Sequence, residues 1–335
     1  MCREDLDKLK KGLKITQFRA GQLACVEAIA LQRADTWVQM PCGGGKSLVF
    51  AAVLNLNGCI GLLVEPLNAI AGTVASYLRD RGVDTLELTS DARASVISRI
   101  RRYQLGKDKP LAIITSPEQL LHASVLRALG PPPASILDEA ATFAAFQRGG
   151  LASVLPRNPV ALFAVDEAHV IASWGDKFRP DFGRLGEVTQ TLERWPARPG
   201  GAATRTFTKL AMTATATPRR RRVVKSILGF DDKHGFDLLQ SLARENIMLR
   251  YCISSTTDGK AKSAGAKMVD IVEALREDAS SPILIFVNER RDADDLAVKL
   301  DDKVFSELGL SATTYAYQSG LSTNAKDTFR EWSPQ

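Results

Sequence analysis

The segment MPCGGGKS, residues 40–47, has the composition of a phosphate-binding loop. It follows the short apolar run TWVQM at 36–40 and opens into LVFAAVL at 48–54, an apolar stretch that reads as a helix. Strand, glycine-rich turn and helix in that order make a cradle for phosphate. Glycines at 43–45 let backbone N–H groups turn towards an anion, and the helix N-terminus adds a field that favours negative charge. Lys46 would bring a mobile cation to the β- and γ-phosphates, and the Ser47 hydroxyl would ligate Mg²⁺. Met40 stands where the strict GxxxxGK[ST] pattern has its first glycine, so a plain strand-to-helix turn with an incidental lysine stays open.

Further along the chain, apolar runs recur with amphipathic stretches between them: IGLLVE at 60–65, LAIIT at 111–115, ALFAVD at 161–166 and KLAMTA at 209–214. Runs this short read as parallel strands buried on both faces, and the alternating order predicts a doubly wound α/β sheet. ALFAVD runs into DEAH, Asp166–His169. Two carboxylates at a strand end beside a phosphate loop suit Asp166 for the Mg²⁺ shell and Glu167 for orienting and deprotonating an attacking water. The bland alternative is an acidic cap on the next helix.

Composition bounds the rest. The 335 residues suggest two compact units, and 45% hydrophobic with 24% charged residues exclude a mainly disordered or collagen-like chain. A net charge of +6 is compatible with a polyanionic partner. The five cysteines show no zinc-site spacing, no segment reaches transmembrane length, and CREDLDKLKKGLK after Met1 lacks the apolar core of a secretory signal. An intracellular setting is expected, with no membrane and no zinc.

Beyond DEAH, Trp174, Phe178 and Phe182 surround Arg179, offering stacking faces and a cation to unstacked bases; filling core beneath a helix is the alternative. His169, Thr213 and Thr215 carry side chains that would relay strand occupancy to the nucleotide site through hydrogen bonds, should the fold bring them together. PRRRRVVK at 218–225 suits nucleic acid or nuclear targeting, but the plainer reading is a charged helix start outside the sheet.

Taken together, these segments resemble the RecQ family of superfamily-two DNA helicases. QFRAGQ at 17–22 is similar to the family's element ahead of the phosphate loop, which implies that Gln22 reads the adenine edge and Arg19 packs on the base. MPCGGGKS differs from the family's usual MPTGGGKS only at Cys42. DEAHVIASWGDKFRPDF at 166–182 resembles its motif II with the aromatic-rich loop, SPE at 116–118 a strand-tracking motif, and LAMTATATP at 210–218 motif III. PILIFVNERRDADDLAVKL from Pro282 resembles motif IV, and YQSGL at 317–321 the family's YHAGL.

The resemblance implies a RecA-like ATP-binding domain over residues 1–247 and the first part of a second over 248–335. It further implies ATP and Mg²⁺ as cofactors, single-stranded and duplex DNA as partners, and 3′-to-5′ unwinding in recombination and repair, in the nucleus if the source is eukaryotic. The arginine that completes the family's ATP site from the second domain is expected beyond Gln335, so the chain by itself is expected to bind ATP and to be a poor motor. Two rivals stay open: an RNA helicase of the DEAH or DEAD type, and a truncated ATP- or DNA-binding module that does not unwind.

Overall fold

The computed structural model describes residues 1–66, 68–105, 107–131, 160–174, 179–195, 206–231, 233–243, 247, 284–287, 289–300 and 316. Phe178, residues 196–205, Pro282, Ile283 and Asn288 of the motif IV stretch, and YQSGL lie outside the described residues. The chain divides into two compact units, Met1–Ile247 and Met248–Gln335.

The first unit is built on a seven-stranded parallel sheet. In chain order its strands are β1 Thr36–Gln39, β2 Ile60–Val64, β3 Asp84–Leu88, β4 Leu111–Thr115, β5 Val160–Val165, β6 Thr208–Thr213 and β7 Phe236–Leu239. Their order across the sheet is β3-β4-β2-β5-β6-β1-β7. The five inner strands are the apolar runs of the sequence, and the two edge strands are the ones that carry mixed, half-exposed residues.

Side chains alternate across these strands, so each strand feeds both faces. On one face Trp37, Leu62, Ile113 and Phe163 join a core completed by Phe182, Val188, Leu192 and Val224. On the other, Val38, Leu63, Ile114 and Leu162 pack with Leu9, Val26, Phe50 and Leu78. The second core is roofed by four helices: α1 Arg3–Leu13, α2 Gln22–Ala30, α3 Lys46–Asn57 and α4 Asn68–Arg79. Further along come α5 Arg93–Arg102, α6 Pro117–Leu120, α7 Ala123–Leu129, α8 Ile171–Trp174, α9 Gly186–Glu193 and α10 Pro218–Leu228. In the second unit the described residues form one helix, α11 Arg290–Lys299.

Register brings the chemistry to one edge. Gln39 lies opposite Thr213, and Val165 lies opposite both Ala211 and Val64. Parallel strands end on the same side, so the loops after β1, β2, β5 and β6 gather at the carboxyl edge, where open α/β sheets hold ligands.

Candidate ATP site

The phosphate loop is shaped by backbone needs that only glycine meets. Gly43 and Gly45 have φ of +74° and +84°, in the left-handed region. A Cβ on Gly44 would stand 2.8 Å from the Pro41 carbonyl oxygen, a contact the backbone cannot relieve. The turn closes with Gly44 N–H donating to Pro41 O at 2.9 Å, and α3 starts at Lys46. Met40 N–H donates to Thr213 O at 3.2 Å, which ties the loop to the end of β6. Lys46 is buried, its ammonium turned back to 3.5 Å from Met40 O, and Ser47 is half-buried beside it.

Arg19 and Gln22 do not stand open in this structure. Arg19 Nη1 donates to Gly43 O, while Gln22 Nε2 donates to Gly44 O at 3.1 Å and Gly45 O at 3.2 Å. Gln22 Oε1 accepts from Arg19 N–H at 2.8 Å, so the buried amide is used at both ends. Both side chains stitch the start of α2 to the phosphate loop. They would meet an adenine edge only by leaving these carbonyls.

The DEAH turn sits at the end of β5. Asp166 N–H donates to Val64 O at 3.0 Å, and Glu167 N–H donates to Asp166 Oδ1 at 2.8 Å. Glu167 holds φ of +45°, a left-handed conformation that a non-glycine residue adopts at a cost of order 1–3 kcal/mol. Burial, and then repulsion from Glu167, push the Asp166 carboxyl above its ordinary value, opposed by Lys46 and His169. The Glu167 carboxyl moves the other way, held down first by its hydrogen bond with His169 and further by Lys46. Two adjacent carboxylates thus have different proton affinities, set by their surroundings.

His169 completes the turn. Its Nδ1 lies 2.9 Å from Thr213 Oγ1 and 3.3 Å from Glu167 Oε2. Thr213 Oγ1 in turn lies 3.2 Å from Thr215 O and accepts from Thr215 N–H at 3.0 Å. The structure therefore brings Lys46, Asp166, Glu167, His169, Thr213 and Thr215 together.

The aromatic-rich segment needs a correction. Phe182 is fully buried, packed with Leu185 and Val188, and offers no stacking face; the core-filling alternative holds for it. Arg179 is engaged as well. Its guanidinium forms a two-pronged pair with Glu118, with both contacts at 2.8 Å, donates to Pro66 O and lies 5.0 Å from the Phe182 ring centroid. It joins the base of the aromatic segment to the loops after β2 and β4 instead of standing free. Trp174 ends α8, and its side chain lies outside the described residues, as does Phe178.

One acidic residue of this edge went unnoticed in the sequence. Glu65, directly after β2, is 4% exposed, and its Oε1 has no hydrogen-bond partner. Burial first, then the charges of Asp166 and Glu167, push its carboxyl up to about 8. The signal was there: a carboxylate closing a buried parallel strand beside the one that ends in DEAH.

A parallel sheet with a glycine-cradled lysine and an Asp-Glu pair on one edge defines a nucleotide-binding domain of the P-loop class. A family profile described as DEAD/DEAH box helicase matches residues 19–223, more than half of the chain. The chain belongs to the DEAD/DEAH box helicases, and its curated relatives within them are RecQ-type DNA helicases. The "Probable ATP-dependent DNA helicase RecS" of Bacillus subtilis (strain 168) is 29% identical over 87% of this chain and 48% of its own length. The "RecQ-like DNA helicase blm-1" of Caenorhabditis elegans is 25% identical over 99% of this chain and 29% of its own. The chain thus spans half or less of these relatives. Among solved structures, S. cerevisiae Dbp5 bound to RNA and ADP BeF3 matches with a TM-score of 0.57 at 16% identity, covering 99% of this chain and 72% of that one. That likeness concerns the fold. Members of the family use ATP and a divalent metal. Among the described residues, no helix is long and apolar enough to cross a membrane, and no group of three or more His, Cys, Asp or Glu is arranged to hold a metal ion.

Proposed function

We propose that this chain is the ATP-binding core of a RecQ-type DNA helicase that unwinds with 3′-to-5′ polarity in recombination and repair. In this reading residues 248–335 begin a second RecA-like domain. The observation that carries it is the carboxyl edge itself, where Lys46, Asp166 and Glu167 share one rim and Glu167 is tied through His169 to the end of β6.

The residues fit Mg-ATP. The loop combines positive-φ glycines with a lysine whose one hydrogen bond among the described residues is long, at 3.5 Å. Ser47 and Asp166 supply hard oxygen donors, and Mg²⁺ commonly keeps several waters and takes few protein ligands. Held by Ser47 and Asp166, the metal would neutralise charge on the phosphate oxygens. Lys46 adds a cation to the same oxygens. Glu167, held ionised by His169 and Lys46, orients the attacking water and receives its proton. Arg19 and Gln22 exchange the loop carbonyls for the base. Trp174 and Phe178 stack on the single strand. An intracellular setting goes with this role, the nucleus in a eukaryotic source.

The test is a pair of variants. Lys46→Ala should weaken Mg-ATP binding, whereas Glu167→Gln should keep binding and abolish hydrolysis; Lys46→Ala binding nucleotide as tightly as the parent would end the assignment. A second reading, an RNA helicase of the DEAD or DEAH type, gains from one observation. Phe182, one of the three aromatics of the segment that resembles the RecQ family's aromatic-rich loop, lies in the core and offers no stacking face. Stimulation of ATP hydrolysis by single-stranded DNA against RNA of the same sequence decides between them.

A further inference from the structure

We infer that the exposed arginines of α10, Arg219 and Arg222 on its outward face and Arg220 beside them in the first turn, form a contact surface for the phosphate backbone of DNA. The inference rests on the nucleic-acid reading above and adds to it a surface that none of the phosphate-loop, DEAH or aromatic motifs includes.

The helix sorts its cations into two sets. Arg221 and Lys225 are half-buried and paired with Asp237, at 3.7 Å and 2.6 Å. Arg219, Arg220 and Arg222 are exposed, and among the described residues no carboxylate pairs with them. Arg219, Arg222, Val223 and Ser226 fall at helical spacing on one exposed face, opposite the buried Val224 and Leu228. The sequence of α10, PRRRRVVKSIL, contains no aspartate or glutamate at all.

This arrangement works against the helix in isolation. Cations in a first turn face the positive end of the backbone dipoles, and like charges this close repel one another. Fold needs do not explain it, because Thr217 already caps the helix by accepting from Arg220 N–H and Pro218 starts it well. A polyanion laid across the face would offset the repulsion.

Position favours DNA as that polyanion. α10 begins just beyond β6, at the carboxyl edge that holds the DEAH turn, and packs against the Ala168–Val170 turn and α8. Trp174, the proposed stacking residue, ends α8. A backbone passing that point continues onto arginines whose donors suit phosphate oxygens. The modest basic excess of the chain, +6, thereby has a location.

The experiment compares the full chain with the combined variant Arg219→Ala, Arg220→Ala, Arg222→Ala, measuring the affinity for duplex DNA with a 3′ single-stranded tail across a salt series. Each phosphate contact contributes about 0.9 to the slope of log K against log salt on duplex, so the slope should fall by about 1 to 3. Unchanged binding of a fluorescent ATP analogue establishes that the variant is folded, and a triple Arg→Lys version should keep most of the slope. A folded triple-alanine variant with the parent's salt slope overturns the inference. So does a variant that loses binding to poly-glutamate while its DNA slope is unchanged, since the face would then serve an acidic protein. If the parent chain itself binds no DNA, the failure belongs to the nucleic-acid reading on which this surface rests.

Discussion

His169 Nδ1 stands 2.9 Å from the Thr213 hydroxyl oxygen, which links the DEAH turn after β5 to the end of β6. The same nitrogen is 3.3 Å from Glu167 Oε2. Nδ1 carries at most one proton, so when protonated it donates mainly to the carboxylate or to the hydroxyl. Thr213 faces the matching choice, because its single proton goes to Thr215 O or to an unprotonated Nδ1. The unit therefore has alternative arrangements, and whatever repositions the loop after β6 changes the one that Glu167 meets. Replacing His169 by Ala, or Thr213 by Val, should leave ATP affinity within about twofold and remove most of the stimulation of hydrolysis by single-stranded DNA. Groups that act as one unit are non-additive, so the double variant should resemble either single one. Losses that simply multiply would separate the two residues.

A second expectation concerns the loop and its latch. Gly45 has φ of +84°, and a Cβ there would lie 2.3 Å from Gln22 Nε2. Gly45→Ala therefore carries a backbone cost of about 1–2 kcal/mol and must also expel the Gln22 amide from its carbonyl partners. Gln22→Ala relieves the collision but not the backbone cost. Urea melts should place Gly45→Ala about 2–4 kcal/mol below the parent, and adding Gln22→Ala should not lower it by the further amount Gln22→Ala costs alone. A Gly45→Ala chain melting with the parent would mean that the loop adopts another conformation in solution.

The inner strands were legible because burial on both faces forces an apolar run, as in LAIIT and ALFAV. The edge strands β3 and β7, with DTLEL and FDLL, have one side half in solvent, and their mixed patterns gave no such signal. Lys46 and Asp166 were legible because their surroundings are local in the chain. Pairings over distance were not: Arg179 finds Glu118 61 residues away, and a free arginine and a paired one look alike in sequence. Phe182 failed for a similar reason, since an aromatic near a loop fits a base or a core equally well until the helices above it are placed.

Lys209 gives a prediction about stability. On β6 it is 2% exposed, with its Nζ 2.8 Å from Glu193 and 3.7 Å from the buried Asp35, and it also donates to Gly229 O. Asp35 meanwhile accepts from the backbone N–H groups of Lys209 and Asp231, each at 3.0 Å. Lys209→Ala takes the cation from beside the buried Asp35, which keeps its backbone N–H donors, so it should cost about 3 kcal/mol, the low end for breaking a buried pair. Glu193 is half exposed, and Glu193→Ala should cost less than about 1 kcal/mol. Equal losses from the two variants in chemical denaturation would contradict the burial on which this contrast depends.

Glu65 makes stability depend on pH in a direction opposite to an ordinary carboxylate. Its carboxyl is buried at the end of β2 with Oε1 unpartnered, and burial with the Asp166 and Glu167 charges raises it from 4.5 to about 8. The folded chain therefore binds this proton more tightly than the unfolded chain. Stability from the group is complete below the unfolded value, falls as pH rises between 4.5 and about 8, and levels off above. At about 1.4 kcal/mol for each pKa unit, the loss across that window is on the order of a few kcal/mol. Asp166 is raised too and acts in the same direction, so the difference between the parent and Glu65→Gln isolates Glu65. Glutamine keeps the shape and one donor while removing the charge. In chelator-treated protein, Glu65→Gln should be little different from the parent near pH 5 and clearly more stable near pH 9, with the gap opening between. A parent and variant whose melting temperatures keep the same separation across the whole range would show that Glu65 stays ionised in the folded chain, and that water or a cation reaches Oε1 at the carboxyl edge.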